Sequence, residues 1–242
     1  METQNNHTLV PILGLMLDSI SVSRAVEISK TYLENDYFNF VLLAGVETAI
    51  GSQEQSESSS WIRCADLILP GDRNVEEAAQ MKVEGGYQEK YLDEILILLA
   101  ERKNKLCILC DTAEQGAFIA KYLEEDYPGL KVVEIVFEET GEEELEALVN
   151  KINGNFPDVI LPFVPMEKQE KLILAHKETI NAKLCIGSET IHQTLYEIMQ
   201  SGKESVKLVK WLINKLHIGK KAVEDEFWQR IEAEKEKEKL DI

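Results

Sequence analysis

The sequence contains no long apolar run and no excess of positive charge. No stretch of about 18 consecutive apolar residues occurs, so no membrane-spanning helix is predicted. The first ten residues, METQNNHTLV, lack a basic start and an apolar segment, so we expect no signal peptide and a cytoplasmic location. With 44 acidic and 26 basic residues, the formal net charge is −18. This charge would repel phosphates and argues against general nucleic-acid binding.

Cysteine and histidine are also scarce, with four of each. Four cysteines are compatible with a reducing compartment. Cys107 and Cys110 form a C-x-x-C pattern, but they lie in the strand-like run LCILC, in which residues three apart point to opposite faces. No second pair supports them and the histidines are scattered singly, so we expect no metal site, no redox site and no cofactor.

The remaining composition is that of a soluble globular protein, with 44% hydrophobic and 29% charged residues. A chain of 242 residues forms one large domain or one domain with an appendage, and it can bury a sizeable core. We place a main domain at residues 1–201 and a C-terminal helical appendage at residues 202–242.

Short apolar runs alternate with amphipathic helical segments through most of the chain. Helical patterns of 10 to 15 residues between strands indicate βαβ units, and therefore a mainly parallel sheet with helices on both faces. The predicted strands are 40–43, 67–69, 106–109, 132–136, 159–163 and 184–186, after a hairpin arm at 10–17. The predicted helices begin after Ser19 or Ser21 and continue at 46–65, 74–81, 91–102, 113–125, 142–152, 167–179, 190–199, 203–216 and 223–240.

The stretch from Phe156 to Lys171, FPDVILPFVPMEKQEK, is the best candidate for one wall of a site. A buried strand ends in two prolines, and an amphipathic helix follows at once. In an open α/β sheet, ligands bind where the strands end, because helix N-termini and free backbone N–H groups converge there.

The helix predicted at 203–216 carries an unusual charge pattern for so acidic a chain. Six lysines and one glutamate lie between Lys203 and Lys221. Lys203, Lys207 and Lys210 share the face opposite an apolar stripe. One interpretation is a packed helix with a lysine-rich outer face. The other is a basic helix that rests on an anionic membrane or contacts a diphosphate. The final charge run, EAEKEKEK, is predicted to be a solvated helical tail.

The order of these pieces resembles the WecG/TagA/CpsF family of bacterial glycosyltransferases. The segments that carry the resemblance are YLEEDYPGLKVVEIV, INGNFPDVILPFVPMEKQEKLI and NAKLCIGSETI, which are similar to the family's "yPgl" turn, "in…pD…l" strand entry, "G-s-P-k-Q-E" loop and "v-G-G" strand end. VPILGLMLDSIS, FVLLAGVETA and ADLILPGD also fall in family order. The resemblance covers roughly Pro11 to Gln200.

The resemblance implies a Rossmann-like α/β fold that transfers N-acetylmannosamine, or a related sugar, from a UDP-sugar to a polyprenyl-diphosphate-linked acceptor. The implied pathways are teichoic acid, surface polysaccharide and capsule synthesis. It also implies a C-terminal appendage that helps the protein associate with the membrane and adds basic residues to the site. The lysine-faced helix is the counterpart in this chain.

The transfer requires a carboxylate that deprotonates the acceptor and glycines that let N–H groups approach the diphosphate. The family's presumed base falls on Gly71, with Asp72 one place later as the candidate base. Its "T-p-N" falls on residues 43–45, so the threonine and asparagine are replaced. Its phosphate glycines after the LCIL strand fall on Cys110 and Asp111.

The loop after the strand at 159–163 and the end of the strand at 184–186 keep part of the family pattern. Pro165 and Glu167 replace the glycine and proline of the "G-s-P-k-Q-E" loop, but Lys168, Gln169 and Glu170 remain as candidate UDP-binding residues. Gly187 is the one retained glycine of the strand end. A structural interpretation is open for the acidic first turn of this helix, because glutamate is favourable there whatever the function.

Three functions are compatible with this pattern. The first is a catalytically degenerate homologue that acts as a partner or binding subunit of an active glycosyltransferase paralogue, or as a homo-oligomer. The second is a working UDP-sugar transferase rebuilt around Asp72, Gln169 and Glu170. The third is a small-molecule binding module that kept the sheet and changed its ligand.

Overall fold

The computed structural model describes residues 8–54, 57–81, 83, 86–137, 141–191 and 220–240. Its centre is a six-stranded parallel sheet in the order β4-β3-β8-β7-β5-β6. The parallel α/β prediction is therefore confirmed. The strands of this sheet are β3 (Asn39–Ala44), β4 (Leu67–Pro70), β5 (Lys105–Cys110), β6 (Lys131–Val136), β7 (Val159–Phe163) and β8 (Leu184–Ser188).

A separate antiparallel hairpin precedes the sheet, and its turn lies inside the run at 10–17 that was predicted to be one short strand or hairpin arm. It consists of β1 (Thr8–Ile12) and β2 (Leu15–Ser19), with Ile12 paired to Leu15. Leu13 and Gly14 form a two-residue turn with φ angles of 50° and 81°, the positive values that a tight hairpin requires. Asp18 at the end of β2 accepts the Ile68 N–H at 2.6 Å and so joins the hairpin to β4.

Helices cover both faces of the sheet. They are α1 (Val22–Glu34), α2 (Val46–Gln53), α3 (Arg73–Ala78), α4 (Tyr87–Arg102), α5 (Ala113–Asp126), α6 (Glu142–Asn155), α7 (Met166–His176) and α8 (Lys220–Leu240), with a 3-10 helix at Glu57–Cys64. Among the residues described, no helix is both long enough and apolar enough to cross a membrane.

Alternate side chains of the strands enter two cores. Phe40, Cys107 and Cys185 pack on one face, with apolar residues of the hairpin, α2, α3, α6 and α7. Val41, Ile108 and the other alternate positions pack on the opposite face, with α1, α4 and α5. This period of two follows from the pleat of a strand, in which successive side chains point to opposite faces.

The neighbouring strands β5 and β7 form a topological switch point. The chain leaves β5 for α5 on one face, whereas it leaves β7 for α7 on the other face. Because the two connections diverge, a crevice is expected between them at the carboxyl edge of the sheet. Of the predicted wall at residues 156–171, the part that follows β7, residues 164–171, lies on this edge, whereas residues 156–158 precede the strand and lie at the opposite edge.

Helix α8 is partly buried, which the sequence analysis did not predict. Phe227 is 0% exposed and Ile231 is 4% exposed, and both belong to the core that contains α2. Trp228 donates its indole N–H to Asn74 of α3 at 3.0 Å. The described side chains of the charge run EAEKEKEK are mostly exposed, as predicted. The helix predicted at 203–216 and most of the one at 190–199 lie outside the described residues, and the domain boundary at 201/202 stays a prediction.

Candidate functional site

The candidate site is the carboxyl edge of the parallel sheet, where five loops bring polar side chains together. The predicted site residues that the structure describes lie on this edge, at the ends of β4, β7 and β8: Asp72, Lys168, Gln169, Glu170 and Gly187. The N-termini of α2, α3, α5 and α7 also face this edge, because each of these helices directly follows a strand. The N–H groups in the first turn of a helix have no acceptor within the helix, so they need partners from elsewhere.

Asp72, the candidate base, bonds to the N-termini of two helices. One carboxylate oxygen accepts the Val75 N–H at 2.9 Å and caps α3. The other accepts the Val46 N–H at 2.8 Å, at the start of α2. The side chain therefore links the loop after β4 to the loop after β3. This structural role is sufficient to explain an aspartate at position 72, without any contact to a substrate.

Gly71 lies directly against the backbone of β3. A Cβ atom at this position would lie 2.4 Å from the carbonyl oxygen of Leu43 and 2.8 Å from the carbonyl carbon of Ala44. The Gly71 N–H donates to the Ala44 carbonyl at 2.7 Å. No side chain fits at position 71 in this arrangement, so a carboxylate cannot be accommodated there.

Glu189, which the sequence analysis did not select, places its carboxylate on the first turn of α2. It accepts the Thr48 N–H at 3.1 Å and the Thr48 hydroxyl at 2.9 Å, with a longer contact of 3.4 Å from the Glu47 N–H. Gly45, the N-cap of α2, has no side chain to perform this function. No local signal marks Glu189, because its partners are about 140 residues earlier in the chain.

Glu189 has a strongly perturbed acidity. Its pKa is raised from 4.5 to about 7, first by burial and then by the nearby charges of Asp72 and Glu47, while the hydrogen bonds from Thr48 act in the opposite direction. A carboxylate with a pKa near neutrality exchanges a proton readily at physiological pH. Its environment is thus a set of three carboxylates around one helix N-terminus.

Lys168 and Asp111 form an ion pair at the switch point. The ammonium group lies 2.7 Å from the Asp111 carboxylate and donates to the Phe137 carbonyl at 2.6 Å. It also lies 5.3 Å from the centroid of the Phe137 ring. The pair connects the loop after β5 to the first turn of α7, which brings together two predicted positions. It neutralises the charge of Asp111.

Gln169 is 2% exposed, and its side-chain amide forms hydrogen bonds with backbone groups that follow β7 and end β8. Its amide nitrogen donates to the carbonyls of Val164 at 2.8 Å and Ser188 at 2.9 Å, and its oxygen accepts the Ser188 N–H at 3.1 Å. Gly187 lies beneath it, where a Cβ atom would approach Gln169 to 3.0 Å and the Phe40 ring to 2.8 Å. Gln169 therefore links the ends of β7 and β8, and Gly187 leaves the space that the Gln169 side chain and the Phe40 ring occupy.

Glu170 is half-buried on α7. Its pKa is raised, first by burial and then by the neighbouring charge of Glu167, while Lys171 acts in the opposite direction. The structure does not test its predicted contact with UDP, nor those of Lys168, Gln169 and Gly187, which stay predictions.

A second buried network, made of hydrogen bonds, connects β8 and α4 to the residue that follows β4. The Ser188 hydroxyl donates to Gln88 at 2.8 Å, Gln88 donates to the Thr190 hydroxyl at 3.0 Å, and that hydroxyl donates to the Gly71 carbonyl at 2.8 Å. Gln88 and Thr190 were not predicted. No local signal marks them, because Gln88 is one of several polar residues in the first turn of α4 and its partner Thr190 is 102 residues later in the chain.

The two cysteines of the C-x-x-C pattern point to opposite faces of β5, as predicted. Cys107 packs in one core, whereas a Cβ atom added at Gly116 of α5 would lie 2.7 Å from the sulfur of Cys110. Among the described residues, no group of three or more histidine, cysteine, aspartate or glutamate side chains is arranged to hold a metal ion. Lys203, Lys207 and Lys210 lie outside the described residues.

The parallel sheet, its switch point and the helix N-termini at its carboxyl edge define a Rossmann-like α/β protein with its candidate site on that edge. The model of a family described as "Glycosyl transferase WecG/TagA/CpsF family" matches residues 10–192, which is more than half of the 242 residues. The chain belongs to this family. The comparison with curated proteins finds no match.

Proposed function

We propose that this chain is a catalytically degenerate member of its glycosyltransferase family that acts as a partner or binding subunit in the synthesis of a cell-surface polysaccharide or teichoic acid. The observation that carries the proposal is at residues 71 and 72. The family position of the base is a glycine that packs against the β3 backbone, and both oxygens of the adjacent Asp72 accept backbone N–H groups.

A base must reach the acceptor hydroxyl, within about 3 Å or through one water molecule. The Asp72 carboxylate is directed instead towards the first turns of α2 and α3. If it moved away, the N–H groups of Val46 and Val75 would lose their acceptor. Removing such a cap costs about 1 kcal/mol per helix. This cost opposes a movement of Asp72 towards a substrate.

The groups that would bind the diphosphate also favour an inert protein. Asp111 replaces a glycine and adds a negative charge, which Lys168 neutralises at 2.7 Å. A lysine that forms this pair, and that also donates to the Phe137 carbonyl, has less capacity to stabilise a departing UDP. In the described part of the carboxyl edge, acidic side chains thus lie where an anionic substrate would need cations or free N–H groups.

A second candidate is an active UDP-sugar transferase, and one observation favours it. Glu189 lies on the same edge and its pKa is raised to about 7, which suits a general base at neutral pH. In this alternative Glu189 replaces the missing aspartate, the sugar is N-acetylmannosamine or a relative, and the acceptor is linked to a polyprenyl diphosphate.

A sugar-transfer assay separates the two candidates. The purified chain is incubated with UDP-N-acetylmannosamine and a polyprenyl-diphosphate-linked acceptor, with and without an anionic membrane. We expect no transfer above that of a heat-inactivated sample. Transfer that is lost in both Asp72→Asn and Glu189→Gln variants, which keep the size of each side chain, would establish the active alternative instead.

The partner role needs a separate measurement. The chain is added to an active family member from the same organism, and the rate of transfer and the melting temperature of the mixture are recorded. We expect a higher rate or a higher melting temperature than the active enzyme shows alone, because a partner that binds only the folded state stabilises it. A transfer rate and a melting temperature that stay unchanged up to a tenfold excess of the chain would rule out the partner role.

A further inference from the structure

The two most exposed large hydrophobic side chains among the described residues lie at the edge of the sheet opposite the candidate site. Tyr37 is 77% exposed and Phe156 is 71% exposed. Tyr37 closely precedes Asn39, the first residue of β3, and Phe156 closely precedes Val159, the first residue of β7. Asn39 and Val159 are both paired with Leu184 of β8, so two strand spacings, about 10 Å, separate them. The two rings therefore belong to one surface, the amino edge, formed by the residues that precede β3, β8, β7 and β5.

The loop that carries Tyr37 is held by two asparagine side chains. The side-chain oxygen of Asn35 accepts the Tyr37 N–H at 2.9 Å, and the amide nitrogen of Asn39 donates to the Tyr37 carbonyl at 2.8 Å. Lys183 donates to the Asn35 carbonyl at 2.8 Å. The ring is thus exposed on a backbone that is fixed on both sides, and a preorganised aromatic side chain loses little conformational entropy on binding.

Phe156 is exposed at a position with a strained backbone. It is the C-cap of α6 and has a φ angle of 49°, in the left-handed region where bulky residues are rare and glycine is common. Lys105 holds this loop, because its ammonium group donates to the Asn155 carbonyl at 2.6 Å. An exposed phenylalanine at a position that favours glycine provides neither burial nor a relaxed backbone, so the ring indicates a contact with another molecule.

Charged side chains alternate in sign along the amino edge. In the strand order β3-β8-β7-β5, the residues that precede the strands include Asp36, Lys183, Asp158 and Lys103. These four charges balance one another, whereas the whole chain has a net charge of −18. Two copies of so acidic a protein repel each other, and the repulsion is smallest where acidic and basic residues alternate.

A two-fold axis normal to the sheet, at the amino edge between β8 and β7, makes this pattern self-complementary. The rotation places β3 of one copy opposite β5 of the other, and β8 opposite β7. Asp36 then faces Lys103 of the second copy, and Lys183 faces Asp158 of the second copy. Each exposed ring also faces a lysine of the second copy, which favours a cation–π contact. Because of the two-fold symmetry, every one of these contacts occurs twice.

We propose that the amino edge is a self-association surface through which two copies of this chain form a two-fold dimer, with Tyr37 and Phe156 as its aromatic anchors. An aromatic side chain buries about 150 to 250 Å², so the four rings supply roughly half of the area of about 1,000 Å² that a specific interface requires. The carboxyl edge stays accessible in this dimer, because the two copies meet at the opposite edge. The inference goes beyond the proposed function, and its test uses neither sugar transfer nor an active family member, so the failure of one leaves the other intact.

The test is sedimentation equilibrium of the full chain at concentrations from about 1 to about 100 μM. We expect the wild type to dimerise in this range, and Phe156→Gly and Tyr37→Ala each to raise the dissociation constant about tenfold or more, because aromatic anchors carry most of the binding energy of an interface. Glycine suits the backbone at position 156, so Phe156→Gly is expected to melt no lower than the wild type. The matched control is Ile97→Ala, which removes a 44% exposed apolar side chain from α4 and should dimerise as the wild type does.

Charge-swap variants test the two-fold arrangement. Asp36→Lys and Lys103→Asp each place like charges opposite each other, so each alone should weaken dimerisation. The double variant restores opposite charges at both contacts and keeps the net charge of the wild type. Its dissociation constant should return to within about threefold of the wild-type value.

Three outcomes would overturn the inference. A wild type that is monomeric at about 100 μM would show that the amino edge does not bind a second copy, even if its rings bind another protein or anionic vesicles. A dimer that Phe156→Gly and Tyr37→Ala leave unchanged would be formed through another surface. A double charge-swap variant that dimerises as weakly as the single variants would exclude the two-fold arrangement.

Discussion

The side-chain amide of Gln169 completes the backbone hydrogen bonding of Ser188, with an N–H···O distance of 2.9 Å in one direction and 3.1 Å in the other. Gln169 is in α7 and Ser188 is the last residue of β8, so the side chain acts as an additional rung between the two elements. A residue selected as a candidate for UDP binding thus also has a structural function that uses both of its amide hydrogens.

This contact predicts a large loss of stability for Gln169→Leu. The variant leaves the buried N–H and carbonyl of Ser188 and the carbonyl of Val164 without their partner, and we expect the free energy of unfolding to fall by about 2 to 4 kcal/mol. Urea denaturation measures this change. Glu170→Gln, at the next and half-buried position, is the control and should change stability by less than about 0.5 kcal/mol. Unchanged stability with weaker UDP binding would assign Gln169 to the ligand instead.

Restoring the family's carboxylate should not restore activity. Gly71→Asp would place a Cβ atom 2.4 Å from the Leu43 carbonyl oxygen, and we expect a loss of more than about 3 kcal/mol in the free energy of unfolding. The control is Gly51→Ala in α2, where a Cβ atom meets nothing within 4 Å. That change should stabilise the protein by about 0.5 to 1 kcal/mol, because alanine favours a helix interior. A stable Gly71→Asp variant that transfers sugar would show that a carboxylate can be accommodated at position 71.

Glu189 predicts a pH-dependent stability. Its pKa rises from 4.5 to about 7 on folding, so the folded state binds the proton more tightly than the unfolded state. The resulting stabilisation is complete below about pH 4.5 and is lost as the pH rises through about 7. Glu189→Gln lacks this loss, and we expect it to exceed the wild type by about 2 kcal/mol at pH 8 after solvent screening of the partly exposed carboxylate.

The measurement is urea unfolding at pH 5 and pH 8, with Glu143→Gln as the control for an exposed glutamate. The difference between Glu189→Gln and the wild type should be small at pH 5 and large at pH 8. A difference that is independent of pH would mean that Glu189 titrates alike in the folded and unfolded states.

The ion pair at the switch point should contribute little to stability. Lys168 and Asp111 are both partly exposed, so a double-mutant cycle with Lys168→Met and Asp111→Asn should give a coupling of about 0.5 to 1 kcal/mol, which falls in 1 M salt. Lys121 and Glu125, 3.8 Å apart and more exposed, form the comparison pair and should couple less. A salt-independent coupling above about 2 kcal/mol would show that the pair is effectively buried.

Phe227 predicts that α8 unfolds with the main domain. Its ring is 0% exposed against the core that includes α2, so Phe227→Ala should lower the free energy of unfolding by about 3 to 4 kcal/mol in a single transition. Glu232→Ala, at an exposed position of the same helix, is the control. Two separate transitions, with only the weaker one affected by Phe227→Ala, would show that the C-terminal segment is an independent unit.

Local sequence patterns predict the elements of this fold well where the chain alternates regularly. The strand predicted at 159–163 has the bounds of β7, and the helix predicted at 113–125 differs from α5 by one residue. The prediction is less accurate for α4, which begins at Tyr87 rather than Tyr91. Its first N–H is accepted by Glu76, eleven residues earlier, and a cap from that distance leaves no local signal.

The burial of α8 illustrates a signal that was present but not used. Val223, Phe227 and Ile231 recur every four residues, which indicates one apolar helical face ahead of the charge run. Only the charge run EAEKEKEK was predicted to be solvated, and the apolar face ahead of it was not considered. The apolar positions were the informative ones, since burial depends on one face and not on the average of all faces.

Periodicity and turn residues alone specify a parallel α/β sheet, its strands and the edge on which a site must lie, because strands and helices impose repeats of 2 and 3.6 on their own residues. Only the tertiary structure decides what occupies that edge. The contact between Glu189 and α2 joins residues about 140 positions apart, and the fit of its carboxylate above Gly45 depends on distances of 2.0 to 2.8 Å that no local pattern encodes.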